Sequence, residues 1–278
     1  MNPVSGSSSN FYSPQPTLAQ KLSKGEPDSE VSPIAGKPQN LTLTRSEVTK
    51  KLKSPELNFY KNHIHNFKDI APDIIRVDEQ NSTVLMLNIG NSMEQPHLID
   101  IKVGDLFANE YYLREVKGVL EENILAKMEK RRNISHYSGF SEHNYRIAGY
   151  TGQDKSIEKH DWLRENARIS PRHILTIYFN SNAVAINKAQ EQLVQIAEKL
   201  QAEPLKNYAL VSSSVLIAFD KMNPENVNVR IIDFNNAMYL DQGSSKEKQN
   251  AVEAFNVLFQ KGLHNLVDHL KSIVHRAV

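Results

Sequence analysis

The alternation of apolar and polar residues is clearest at positions 96–104 of this chain. Aliphatic side chains at positions 99, 101 and 103 alternate there with Asp100 and Lys102. This two-residue period predicts a strand with one aliphatic face. Its other face carries an acid and a base, roughly 7 Å apart at strand rise. The pair belongs either to a solvated face or to a ligand site, because a strand end between Pro96 and Gly104 can present side chains to a ligand.

The same patterns predict further elements. Strand-like runs occupy 41–44, 47–52, 84–89 and 174–179. Apolar residues spaced three and four positions apart predict amphipathic helices at 110–130, 183–200 and 247–276. In the first of these helices the apolar positions are Leu113, Val116, Leu120, Ile124 and Met128. Pro55 predicts the start of another helix, because proline suits the first helical turn.

The N-terminal segment 1–40 differs from the rest of the chain. It holds eight serines and six of the twelve prolines, with few bulky aliphatic residues. Such a segment cannot bury enough apolar surface to offset the entropy lost on ordering. We therefore predict a disordered tail at 1–40, with order beginning near Leu41.

Composition narrows the class of protein without identifying a ligand. Of the 278 residues, 40% are apolar and 23% are charged, which is typical of a globular protein. The net charge of +1 gives no argument for nucleic-acid or membrane binding. The chain has no cysteine, no apolar run near the roughly 18 residues of a membrane span, and no signal-peptide pattern at its start. We expect a soluble, monomeric, intracellular protein of the cytoplasm, the nucleus or both.

The segment 96–104 also matches the complete pattern Pro-x-x-x-Asp-x-Lys-x-Gly, which closely resembles the signature of the inositol polyphosphate kinase family. Other segments resemble motifs of this family, in the family's order. They are Val48–Leu52 (Val-x-Lys-x-Leu), Glu56–Tyr60 (Glu-x-x-Phe-Tyr), Tyr145–Gly149 (Gly-Phe-Arg-Ile-x-Gly without its first Gly), Val211–Asp220 (a Ser-Ser-Leu-Leu strand with Val215 for the first Leu), Ile232–Phe234 (Ile-Asp-Phe) and Gly262–Leu266 (Gly-Leu-x-Asn-Leu). The resemblance rests on their joint occurrence between residues 41 and 276.

The resemblance implies an α/β (α+β) fold with two lobes, similar to protein kinases, and with ATP bound between the lobes. The N-terminal ATP-binding lobe and hinge would span 41–92. The C-terminal catalytic lobe would span 93–278, with an inositol-phosphate-binding helical segment at about 105–140. The chain contains neither Gly-x-x-x-x-Gly-Lys-[Ser/Thr] nor Gly-x-Gly-x-x-Gly. These absences disfavour a Walker-type ATPase and an ordinary protein kinase.

The activity implied by the resemblance is in-line transfer of the ATP γ-phosphoryl group to a hydroxyl of an inositol (poly)phosphate, which depends on positioning and charge neutralisation. Asp100 would orient or deprotonate the attacking hydroxyl. Lys102 would bridge the substrate phosphate and the transferring group. Asp233 would hold Mg²⁺ with Ser213 or Ser214 beside it, because carboxylate and hydroxyl oxygens suit a hard cation.

The resemblance also implies nucleotide and substrate contacts. Lys50 would contact the ATP phosphates, and the backbone of Leu87 and Ile89 would bind the adenine. The alternatives are an exposed strand lysine and plain core packing. The substrate phosphates would be bound by basic residues of the predicted helix, namely Lys117, Lys127, Lys130 and Arg131. The alternative for these cations is a favourable interaction with the helix dipole.

Two departures from the family pattern keep a second function class open. Asn235, Asn236 and Ala237 stand where the family has a small residue, then His or Lys, then Thr, and Leu87 stands at the usual acidic hinge position. The alternative is therefore a catalytically weak or inactive kinase-fold protein that binds inositol phosphates, phosphoinositides or a protein partner. A phosphoinositide lipid substrate also stays open, as does the identity of the phosphorylated hydroxyl.

Overall fold

The computed structural model of the protein describes residues 40–104, 111–116, 118–120, 122–126, 128–129, 133, 140–151 and 170–274. Apart from its last residue, the predicted tail therefore lies outside the described residues. The same is true of the four basic residues predicted to bind substrate: Lys117, Lys127, Lys130 and Arg131.

Strands form two larger antiparallel sheets and one short ribbon within these ranges. The strands are β1 (Leu41–Leu43), β2 (Glu47–Lys51), β3 (Ile74–Asp78), β4 (Thr83–Leu87), β5 (Pro96–Val103), β6 (Tyr145–Tyr150), β7 (Tyr208–Ala209), β8 (Ser214–Asp220), β9 (Val227–Ile232) and β10 (Met238–Tyr239). The first sheet has the order β1-β2-β4-β3, the second has the order β6-β5-β8-β9, and β7 pairs with β10. The mixed α/β fold class with antiparallel sheets is thus confirmed.

The helices are α1 (Ser54–Asn62), α2 (Phe140–His143), α3 (Pro171–Phe179), α4 (Ala183–Gln201) and α5 (Lys246–Val274). Shorter helical turns lie at Ile64–Phe67, Tyr112–Val116 and Leu205–Asn207. Even α5, which has 29 residues, is too polar to cross a bilayer, and the same holds for every other helix in the described ranges.

The two faces of β5 differ as the alternation predicts. Ile99, Ile101 and Val103 are fully buried in the main hydrophobic core, to which α3, α4 and α5 also contribute. The opposite face of the same sheet, which carries Asp100 and Lys102, lines a cleft shared with the first sheet. The chain between the two sheets, 88–95, connects β4 to β5. The boundary of the two predicted lobes near residue 92 stays a prediction.

The segment 174–179 is a helix, so its predicted strand is wrong. It forms most of α3, which begins after Ser170 with Pro171 in its first turn and ends at Asn180 in a left-handed conformation. Its buried residues, Ile174, Leu175, Tyr178 and Phe179, recur at helical spacing, whereas Ile177 is exposed. A short apolar run cannot distinguish strand from helix by itself, and here the flanking proline and cap decide.

The helix predicted over 110–130 is also wrong as a continuous element. The first turn at Tyr112–Val116 is followed by a non-helical stretch at 118–120, and 122–126 is helical again. Gly118 has a φ of +57°, and the Val119 amide donates to the Leu113 carbonyl at 3.0 Å. A glycine in this left-handed conformation ends a helix. Leu120 is consequently exposed rather than part of the apolar stripe.

Candidate active site

A cavity of about 420 Å³ lies in the cleft between the two sheets. This volume falls within the usual range of small-molecule sites, roughly 300–1,000 Å³. One part of its wall is aliphatic and is formed by Leu41, Leu43, Val48, Met86, Leu87, Ile89, Leu98, Leu216 and Ile232. Another part is charged and is formed by Lys50, Glu56, Asp100, Lys102, Arg146 and Asp233. The cavity thus combines an apolar wall with a dense group of acids and bases.

Strand pairing places the Asp100–Lys102 pair in the middle of the second sheet. Lys102 lies opposite Ser214 of β8 on one side and opposite Arg146 of β6 on the other. The pair is therefore held by neighbouring strands on both sides, which gives it a rigid position. Such rigidity is what a site that acts by positioning requires.

Asp233 follows β9 directly and has an unusual backbone conformation. Its φ is +67°, in the left-handed region that a residue with a Cβ adopts only at a cost of about 1–3 kcal/mol. The Ser213 hydroxyl donates to the Asp233 carbonyl at 3.0 Å and so helps to hold this turn. The strained turn directs the Asp233 carboxylate into the cleft, where it lies among the charged lining residues.

The Asp233 carboxylate pairs with two lysines from different elements. Lys50 of β2 contacts its Oδ1 at 2.8 Å, and Lys102 of β5 contacts its Oδ2. Burial acts to raise the pKa of Asp233, but the charges of Lys102 and Lys50 outweigh it and hold that pKa well below its usual range. Asp233 is therefore an anion at neutral pH.

Lys50 also contacts a second acid, Glu56 in the first turn of α1, at 2.6 Å. Burial alone would lower the pKa of Lys50, but Asp233 and Glu56 outweigh it and hold the pKa above its usual value. For Glu56 itself, burial raises the pKa and the charge of Lys50 offsets part of that effect. Because Phe59 of α1 stacks on Phe234 at a centroid distance of 4.7 Å, the helix that carries Glu56 is fixed beside Asp233.

Asp100 has a different environment, although it also lies near Lys102. It is only 5% exposed, and burial raises the pKa of its carboxyl above the usual range while the charge of Lys102 acts in the opposite direction. Its Oδ1 accepts no hydrogen bond from the described residues, although the Ser214 hydroxyl is near enough to favour the charged form. A buried carboxylate oxygen without a donor in a cavity is a ready acceptor for a ligand hydroxyl.

Most of the residues predicted to act together line this one cavity. Lys50, Leu87, Ile89, Asp100, Lys102 and Asp233 all contribute to its wall. Ser213 and Ser214 are fully buried beside it, with Ser213 bound to the Asp233 backbone.

Existing hydrogen bonds already engage one backbone group of each residue predicted to bind the adenine. The Leu87 amide donates to the Asp73 carbonyl at 2.9 Å. The Ile89 carbonyl accepts from the Asn228 side chain at 3.1 Å. A base bound by these two residues would therefore use the Leu87 carbonyl and the Ile89 amide.

Glu56 and Arg146 are charged residues of the cavity that were not predicted as site residues. Glu56 lies within the segment that resembles Glu-x-x-Phe-Tyr, and Arg146 within the one that resembles Arg-Ile-x-Gly. Arg146 is largely buried, and burial lowers the pKa of its guanidinium while Asp100 acts to raise it. The motifs contained these residues, but the sequence gives no means of seeing that α1 and β6 bring them to the same cleft.

The two antiparallel sheets and the charged cleft between them define a mixed α/β, kinase-like protein. A family model described as inositol polyphosphate kinase matches residues 83–271, more than half of the chain. The chain belongs to the inositol polyphosphate kinase family. No curated protein sequence matches it.

Two solved structures show the same fold. The crystal structure of inositol phosphate multikinase Ipk2 from S. cerevisiae, in complex with ADP and Mn²⁺, aligns with a TM-score of 0.59 at 16% identity, over 82% of this chain and 99% of that chain. A second structure, from structural and engineering work on inositol phosphate multikinase, aligns with a TM-score of 0.53 at 17% identity, over 78% of this chain and 99% of that chain.

Proposed function

We propose that the protein transfers the γ-phosphoryl group of ATP to a hydroxyl of an inositol (poly)phosphate. One observation carries the proposal. The Asp100 carboxyl group, one oxygen of which lacks a donor among the described residues, lines the same cavity as Lys102 and Lys50, the two lysines that neutralise Asp233. A hydroxyl acceptor, a cation for transferring phosphoryl oxygens and a carboxylate for a metal are the groups that phosphoryl transfer needs.

The nucleotide would lie with its base against the aliphatic wall of the cavity. The adenine would bond the Leu87 carbonyl and the Ile89 amide, and Lys50 would bind the phosphates. Glu56 contacts the same Lys50 Nζ as Asp233 does. It would therefore keep the Lys50 ammonium in place when Asp233 binds a metal ion instead. The ADP in the similar yeast structure supports a nucleotide as ligand.

The Asp233 carboxylate offers oxygen ligands that suit a divalent cation, provided that it exchanges one of its two lysine contacts for the metal. Asp233 is a permanent anion on a strained, fixed turn, and carboxylate oxygens are the ligands that Mg²⁺ prefers. Asp233 would hold Mg²⁺, and Ser213 would act mainly by holding the Asp233 backbone. The cation would supply charge neutralisation for the transferring phosphoryl group. The Mn²⁺ of the yeast structure supports a divalent metal.

Asp100 would accept the hydrogen bond of the attacking inositol hydroxyl. In the transfer, the hydroxyl O–H bond breaks and its proton passes to the Asp100 carboxylate. A bond forms between the hydroxyl oxygen and the γ-phosphorus, and the bond from that phosphorus to the bridging oxygen breaks, releasing ADP. Lys102 would stabilise the negative charge on the transferring group, since its ammonium contacts Asp233 and its charge also acts on Asp100.

The phosphates of the inositol substrate would meet Arg146 and Lys102 inside the cleft. Further contacts would come from Lys117, Lys127, Lys130 and Arg131, which stay predictions. A phosphoinositide headgroup presents the same chemistry, and the hydroxyl that receives the phosphoryl group is not specified by the residues of the cleft.

The experiment that tests this function measures ATP consumption by the purified protein with a panel of inositol phosphates, followed by anion-exchange separation of the products. We expect a new, more highly phosphorylated product with at least one member of the panel, and a much slower formation of that product with Asp100→Asn. Tight binding of an inositol phosphate without any turnover would instead establish the alternative, a binding protein on a kinase fold. The replaced residues Asn235, Asn236 and Ala237 are the feature that favours this alternative.

A further inference from the structure

The segment 88–95 between the two sheets is bonded on one side by side chains of the β8–β9 hairpin, and on the other by residues that precede β2, among them Arg45, which donates to the Met93 carbonyl. Asp220, at the end of β8, accepts hydrogen bonds from the amides of Glu94 at 2.7 Å and Gln95 at 3.0 Å. Asn228 of β9 donates to the Ile89 carbonyl at 3.1 Å, and Asn226 donates to the Ser92 carbonyl at 3.3 Å. Three side chains of one hairpin thus fix both ends and the middle of this segment.

The same segment is closed against the core by Met93, which is fully buried with Ile89 and Ala218. Asp220 is 3% exposed, and although burial acts to raise the pKa of Asp220, its bonds to backbone amides hold that pKa below its usual value. A buried carboxylate is stable only when hydrogen bonds replace the hydration that it has lost. Asp220 and the amides that donate to it therefore hold each other in fixed positions.

Resting on the proposed function, we propose that Asn228 and Asp220 are positioning residues for the purine base. By holding the Ile89 carbonyl, Asn228 fixes the turn of the chain at which the base would bond. The Ile89 carbonyl is then engaged by Asn228, and the Leu87 amide is engaged by Asp73. We therefore assign the Leu87 carbonyl and the Ile89 amide to the base edge.

This arrangement selects adenine over guanine. Adenine carries a donor at position 6, whereas guanine carries an acceptor there. A carbonyl facing position 6 accepts from the adenine amine and repels the guanine oxygen. If Asn228 is lost, the Ile89–Gly90 peptide is no longer held, and the adjoining peptide that carries the Ile89 amide loses its fixed orientation toward position 1 of the base, which accepts in adenine and donates in guanine. The hairpin therefore affects both nucleotide affinity and base selectivity without touching the base.

The chain offers a matched control on the other edge of the same strand. Gln192 of α4 donates to the Val227 carbonyl at 2.8 Å and accepts from the Val229 amide at 2.9 Å. The Gln192 side chain thus holds the backbone of β9, just as the Asn228 side chain holds the backbone of segment 88–95. Unlike that segment, Gln192 does not line the cleft. A merely structural role for the hairpin predicts similar effects for Asn228→Leu and Gln192→Ala.

The experiment compares wild type, Asn228→Leu, Asp220→Asn and Gln192→Ala in steady-state kinetics with ATP and with GTP. We expect the first two variants to raise KM for ATP by about five- to tenfold, the effect of losing one hydrogen bond in a site. Their kcat and their KM for the inositol phosphate should stay within about twofold, and the preference for ATP over GTP should fall by a similar five- to tenfold factor. Gln192→Ala should change none of these values.

Equal shifts in Asn228→Leu and Gln192→Ala, or an unchanged ATP preference in both hairpin variants, would overturn the proposal. If one of the two hairpin variants does not fold, the kinetics of the other variant test the proposal. Calorimetric titration with ADP separates this result from the kinase activity, because it needs no turnover. Should wild type bind ADP but transfer no phosphoryl group, a selective loss of ADP affinity in Asn228→Leu supports the hairpin role while the proposed activity fails. Failure of wild type to bind ADP overturns both.

Discussion

Asp100 and Asp233 are two aspartates of one cavity with opposite electrostatics. Asp233 is bonded to both Lys50 and Lys102, and its pKa is held below the usual range. Asp100 lies in the middle of β5 with one oxygen lacking a donor among the described residues, and burial raises its pKa. The difference arises from position alone, because the residue type is the same.

This difference assigns the two carboxylates to different work. A group whose pKa is low stays charged and suits a metal, whereas a group whose pKa is raised can take a proton near neutral pH. In the proposed function, Asp233 therefore holds the cation and Asp100 orients and deprotonates the hydroxyl. Neutralising each aspartate in turn separates these roles.

The largest expected effect is on turnover. Asp100→Asn and Asp233→Asn should each lower kcat by about 100- to 1,000-fold, or about 3–4 kcal/mol, because each removes one preorganised charge from the reacting centre. Only Asp233→Asn should lose the magnesium-dependent part of ATP affinity, measured by titration with and without Mg²⁺. Asp78→Asn, a change at the end of β3 and outside the cavity, is the control. The assignment of roles fails if both site variants keep kcat within a few-fold of wild type, or if both bind ATP alike.

A smaller effect is expected on the free energy of unfolding, and the Asp233→Asn and Asp100→Asn variants should change it in opposite directions. Asp233→Asn leaves Lys50 and Lys102 without their shared anion, so we expect a loss of about 1–3 kcal/mol in the free energy of unfolding. Asp100→Asn removes a charge that burial disfavours, so we expect no loss or a small gain. Denaturant unfolding of both variants measures the difference. Equal destabilisation by the two changes would contradict the distinct environments.

The pH dependence of stability should also separate the two aspartates. The raised pKa of Asp100 means that the folded protein binds a proton more tightly than the unfolded chain, so stability falls as pH rises through the interval between the usual carboxyl value and the raised one. The lowered pKa of Asp233 has the opposite sign, and its contribution is lost as pH falls below the usual carboxyl value.

Thermal melts from pH 3 to pH 8 test this expectation. The advantage of Asp100→Asn over wild type should grow with pH, whereas the deficit of Asp233→Asn should shrink in acid. Parallel melting curves for the two variants would show that the aspartates share one environment.

The sequence predicted the positions of some residues of the cavity but not the electrostatic difference between Asp100 and Asp233. The alternation at 96–104 correctly placed Asp100 and Lys102 on one face of a strand, because a two-residue period has a simple geometric meaning. The family motifs predicted that Lys50 and Asp233 act at one site, and both line the cavity. Neither pattern could indicate that Asp233 would be saturated by lysines while Asp100 keeps an oxygen without a donor. That depends on how β2, β5 and the end of β9 meet.

The wrong predictions have a related physical cause. The run 174–179 is equally apolar in a strand or a helix, and tertiary packing against α5 favours the helix. The stripe over 110–130 has helical spacing, but Gly118 breaks it by adopting a positive φ. The placement of Ser213 beside a metal stays a prediction. Its hydroxyl donates to the Asp233 carbonyl, a contact between residues 20 positions apart that no local pattern contains.

The smallest expected effect concerns Glu56, a third acid of the cavity whose environment lies between those of the two aspartates. Like Asp100 it is buried with a raised pKa, and like Asp233 it bonds to Lys50, at 2.6 Å. Glu56→Gln keeps the size and an acceptor oxygen, so the Lys50 ammonium retains one neutral contact and its ion pair with Asp233. We therefore expect KM for ATP to rise only about three- to tenfold, with kcat changed less.

The matched control for Glu56→Gln is Glu79→Gln, which neutralises an exposed glutamate paired with Lys61 at 2.8 Å. Because exposed ion pairs contribute little, this control should leave both KM and kcat unchanged. A rise in KM for ATP that is absent from the control and absent for the inositol phosphate identifies Glu56 as the residue that positions Lys50. A loss of kcat as large as that of Asp233→Asn would instead show that Glu56 acts together with Asp233 in metal binding. The metal-binding role would then belong to two acids, Glu56 and Asp233, rather than to Asp233 alone.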